Sequence, residues 1–69
     1  MDIIEKELLS RKSEIQDGVD LLFKANMKIT DWDVPEADDK EAAKIILDMI
    51  QERVKEIRLD IEYGKYDNY

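Results

Sequence analysis

The chain has 69 residues, a net charge of −7, no cysteine and no histidine. Disulfides, thiolate metal sites, the commonest metal ligand and the commonest general base are therefore all excluded. A single core of this size supplies only about 3–5 kcal/mol, so oligomerisation is the remedy left for a marginal fold.

The first half predicts a helix over about residues 2–29. Ile4, Leu8, Ile15, Leu22 and Ile29 fall on one helical stripe, with Arg11, Gly18 and Ala25 at the alternate positions and Val19 and Phe23 widening it. From Val19 to Ile29 the odd positions are also all apolar, the period of a strand. Helix is the favoured reading, because the interior residues are mostly fair helix formers and no second strand candidate exists. Gly18 costs a helix up to about 1 kcal/mol relative to alanine, and a break is expected near it.

Residues 30–37 predict an acidic turn. Asp31, Asp33, Glu36, Asp38, Asp39 and Glu41 are balanced only by Lys40, whereas the segments on either side are near neutral. Pro35 pushes Val34 toward an extended conformation, and Asp38 with Glu41 forms a capping-box pattern. Trp32 has two readings: a cover for the end of a core, or an exposed anchor for a partner.

The second helix is predicted over about residues 38–63. Ala43, Leu47, Ile50, Val54, Ile57 and Ile61 alternate at spacings of four and three, a heptad seam, and Gly64 is the expected stop. Ala42, Ile46 and Met49 broaden the stripe beyond what one partner helix covers. Residues 64–69 form a tail with three tyrosines at three-residue intervals counting Tyr63, for which a frayed end is expected.

The expected fold is all-α: one domain over residues 1–69, an antiparallel two-helix hairpin that dimerises into a four-helix bundle. Folding about residue 33 or 34 would bring Arg11 near Glu56 and Glu14 near Arg53. The expected interface comprises Leu8, Ile15, Leu22, Ala43, Ile46, Leu47, Ile50, Val54, Ile57 and Ile61. Trp32, Asp31, Asp33, Asp38 and Asp39 are the candidate contacts for a further partner.

Chemistry is sparse. Counting a calcium loop from Asp31 fails after Asp33, because Pro35, Glu36 and Ala42 occupy positions that need an acid, a glycine and a glutamate. Ser10 and Ser13 have no histidine to activate them, and two glycines make no phosphate loop. No enzymatic activity, cofactor or metal is expected. The acidic balance argues against direct nucleic-acid binding. No apolar run approaches the roughly 20 residues of a membrane span, and Met1-Asp2-Ile3-Ile4-Glu5 lacks a secretory pattern, so a cytoplasmic location is expected. The leading function is a small protein-interaction module or regulator acting as a homodimer. Alternatives are an acidic mimic of nucleic acid that inhibits a DNA- or RNA-binding protein, and an accessory subunit of a heteromeric complex.

Overall fold

A computed structural model describes residues 2–69; among them there are three helices and no strand. Helix α1 spans Ile3–Ser10, and Asp2 caps it by accepting the Glu5 N–H at 2.8 Å. It ends at Arg11, whose φ of −105° and ψ of 8° leave helical geometry and whose N–H turns back to the Leu8 carbonyl at 3.1 Å. Helix α2, Lys12–Asp33, starts at once, with the Ile15 N–H donating to the Arg11 carbonyl.

The break therefore lies at Arg11, not near Gly18, which sits inside α2. The local chemistry favours that place. The Ser10 hydroxyl donates to the Glu7 carbonyl at 2.6 Å, and residues 10–14 carry no apolar side chain to hold a helical face against anything. The strand reading of residues 19–29 is likewise resolved in favour of helix. Asn26 and Thr30 direct their side-chain donors to the carbonyls of Leu22 and Asn26, each at 2.9 Å, so neither is left as an unpaired group on α2.

Helix α2 runs through Trp32 and Asp33, four residues past the expected end. Pro35 accounts for the stop: Val34 is extended at φ −134° and ψ 76°, and its N–H still closes the helix on Thr30 at 2.8 Å. Helix α3 spans Asp39–Glu62, and Asp38 caps it by accepting the Lys40 N–H at 2.9 Å. Gly64, at φ +84°, ends it in a Schellman motif: Lys65 N–H donates to Asp60 and Gly64 N–H to Ile61.

The tail is turned rather than frayed. Asp67 N–H donates to the Gly64 carbonyl, Lys65 Nζ lies 3.5 Å from Asp60 Oδ2, and the rings of Tyr66 and Tyr69 meet edge-on at 5.6 Å.

No described residue is fully buried. Within the helices the half-buried side chains are Phe23, Met27 and Thr30 on α2 and Ala42, Ala43, Ile46, Ile50, Ile57 and Asp60 on α3. Val19, Leu22 and Asn26 share one trough with Ile46, Ile50 and Arg53, while Asn26 and Thr30 share another with Ala42 and Ile46. Helix α1 does not approach α3. The molecule is elongated, 49 × 27 × 17 Å, and its long dimension matches the roughly 46 Å of α1 and α2 laid end to end.

The register differs from expectation. With α2 ending at Asp33 and α3 starting at Asp39, the connection centres near residue 36, and Arg53 falls beside Val19 and Leu22 rather than Glu14. The expected pairs between helices do not form. Each arginine takes an acid three residues further along the chain, Arg11 with Glu14 at 3.2 Å and Arg53 with Glu56 at 3.6 Å. Both are exposed pairs of small worth, about 0.2–0.5 kcal/mol.

Candidate interaction surface

The heptad seam of α3 divides in two. Ala43, Ile50 and Ile57, seven residues apart, are half-buried together with Ile46. The alternate members Leu47, Val54 and Ile61 remain 46%, 54% and 57% exposed. Half of the seam thus turns toward α2 and half faces outward.

On α2 the most covered side chains lie to one side of the expected stripe, where Phe23 is expected to widen it. Leu22 is exposed, as are Leu8 on α1 and Ile15 on α2, whereas Phe23, Met27 and Thr30 take the half-buried positions. The sequence carried that signal. Val19, Phe23 and Met27 follow one another at four-residue spacing, a helical stripe hidden beneath the odd-position alternation. Two apolar stripes run along α2; α3 covers more of the stripe of Val19, Phe23 and Met27, and of the other Leu22 lines the edge of the trough between the helices.

The other stripe lies along α1 and α2. Leu8, Ile15, Leu22 and Ile29 recur every seven residues, each about half exposed. Trp32 belongs to it: it stands in the last turn of α2, 86% exposed, and lines a shallow apolar trough with Ala25, Lys28 and Ile29. In the single chain it covers no core.

At the same end, Asp31, Asp33, Asp38 and Asp39 are all exposed. The Asp39 carboxyl is held above the usual carboxylate range, first by a hydrogen bond to Asp31, then by the charge of Asp31, with smaller effects of desolvation and Asp38. Two helix ends that both carry acids converge here. An acid suits the start of α3, where the helix dipole is positive, and Asp39 and Glu41 occupy its first turn. Asp31 and Asp33 stand at the opposite, unfavourable pole of α2, whose last turn has no base.

Among the described residues no group of three potential ligands is arranged to hold a metal ion, and no helix is long and apolar enough to cross a membrane. The chain matches no family model, and neither the curated proteins nor the solved structures yield a match.

Proposed function

We propose that this chain is a small acidic protein-interaction module without catalytic activity. In this reading α2 and α3 form an antiparallel hairpin, and two hairpins assemble as a homodimeric four-helix bundle. The observation that carries the reading is an area. The chain exposes 6572 Å², whereas a folded monomer of its 8.2 kDa exposes about 4,500 Å². The excess is about 2,000 Å² per chain. Two chains covering that excess would bury a total of roughly 4,000 Å², within the range of obligate homodimers.

Sedimentation equilibrium combined with helicity at decreasing concentration tests the assembly. A mass of two chains at micromolar concentration, with helicity lost on dilution, is the expected result. A fully helical monomer at that concentration would overturn it. Little helicity in the isolated chain would instead identify the accessory-subunit role, with a different protein supplying the missing face.

The acidic end favours a second reading, an acidic decoy for the nucleic-acid groove of a target protein. It rests on the crowding of Asp31 and Asp39 beside exposed Asp33 and Asp38. Binding to such a target should weaken steeply with salt and vanish when these four become asparagine. Binding that ignores salt would remove the reading.

A further inference from the structure

The outer stripe of α1 and α2 has a regular composition. Its large members Leu8, Ile15, Leu22 and Ile29 alternate with Arg11, Gly18, Ala25 and Trp32. From Leu8 to Trp32 it runs about 36 Å, and its large members stay about half exposed. At Gly18 a side chain would meet nothing within 4 Å, so the helix surface there is an open notch.

We propose that this stripe is covered by a second copy of the chain running antiparallel, with the two-fold axis beside residue 20; the proposal rests on the homodimer reading and specifies its interface. In that register three of the four large residues meet a small or flat one, and the fourth, Ile29, packs against the stem of the partner's Arg11. Leu22 lies over the partner's Gly18, Ile15 over the partner's Ala25, and Leu8 against the partner's Trp32. The area supports a second copy as occupant, since about 2,000 Å² of excess surface per chain exceeds the roughly 800 Å² per partner of a standard interface.

The flanking residues supply charge complementarity. Along one edge stand Glu14, Leu21 and Lys28 at seven-residue intervals. Antiparallel pairing sets Glu14 beside the partner's Lys28, and Leu21, 68% exposed in the single chain, beside the partner's Leu21. Along the other edge Val19 meets its own copy. The edges are thus apolar at the centre and charged toward the ends. Glu5 and Asp33 approach as like charges only at the tips, where solvent screens them. Parallel pairing would instead stack Arg11 on Arg11 within the seam.

The chain has no cysteine, so single-cysteine variants read the geometry directly. With a short bifunctional thiol reagent, Leu21→Cys should give a covalent dimer. Leu8→Cys alone should not, because antiparallel copies hold that position about 36 Å apart. Mixed Leu8→Cys and Trp32→Cys chains should cross-link to each other. Circular dichroism of each variant checks that helicity is retained. Cross-linking of Leu8→Cys to itself would overturn the proposal in favour of a parallel pair. A dimeric mass for the parent chain with no cross-link at either position would overturn the proposed interface and leave the dimer standing. A helical monomer would overturn both.

Discussion

The carboxyl of Asp39, at the first position of α3, is crowded by that of Asp31 in the last turn of α2. The Asp39 proton is held more tightly because it can bridge the two as a hydrogen bond. Such a bond exists only while one of the two is protonated, so above the carboxylate range it is replaced by repulsion across the turn.

The pH dependence follows from its sign. The folded state holds the Asp39 proton more tightly than the unfolded chain, whose value is 3.8. Between that value and the raised one, stability falls as pH rises; above the raised value the penalty is constant, and below 3.8 it is absent. Asp31→Asn should therefore raise the thermal midpoint near neutral pH. The gain should shrink as pH falls through this window and disappear below it. Melting of variant and parent at both ends of the range checks this, and a gain independent of pH would contradict it.

Gly64 supplies a conformational prediction. Its φ of +84° lies in the left-handed region, and an added Cβ would come within 2.9 Å of Asp67 Oδ2. The Asp67 side chain can swing away, so the backbone cost dominates. Gly64→Ala should lose about 1–2 kcal/mol of stability. Gly64→Asn should lose less, because asparagine tolerates this region. Denaturant midpoints of the two variants, in that order, are the measurement.

Gly18 should behave in the opposite way. It lies inside α2 with ordinary helical backbone, and nothing stands within 4 Å of an added Cβ. Gly18→Ala should gain about 0.5–1 kcal/mol through helix propensity. Ala25 already occupies the equivalent place seven residues on, so a methyl group suits the proposed interface too. A rise in helicity and thermal midpoint at constant protein concentration is the expected outcome.

The difference between these glycines shows where local sequence suffices and where it does not. Gly64 follows the last seam residue, Ile61, and its role depends on a few neighbouring backbone groups, so it was legible as a stop. Gly18 sits between residues that sustain the backbone hydrogen bonds of α2, and its intrinsic cost alone did not break the helix. The break went instead to Arg11, beside a serine whose hydroxyl bonds the backbone.

The sequence by itself determined that the described chain is helical, that Asp38 starts α3, that Pro35 separates α2 from α3, and that Gly64 ends the last helix. Those are interactions among neighbours in the chain, and composition is enough to specify them. Only the tertiary structure decided which stripe of α2 meets α3. Both the stripe of Ile15, Leu22 and Ile29 and the stripe of Val19, Phe23 and Met27 have helical spacing, and hydrophobic burial does not distinguish them by pattern alone. In the same structure α2 extends to Asp33, the turn lies about three residues later than expected, and Arg53 stands beside Val19 and Leu22 rather than Glu14. A shift of a few residues in the turn accompanies the loss of the expected ion pairs between helices, because each arginine then has only acids near it in sequence within reach. The Leu8-to-Trp32 stripe stays largely exposed.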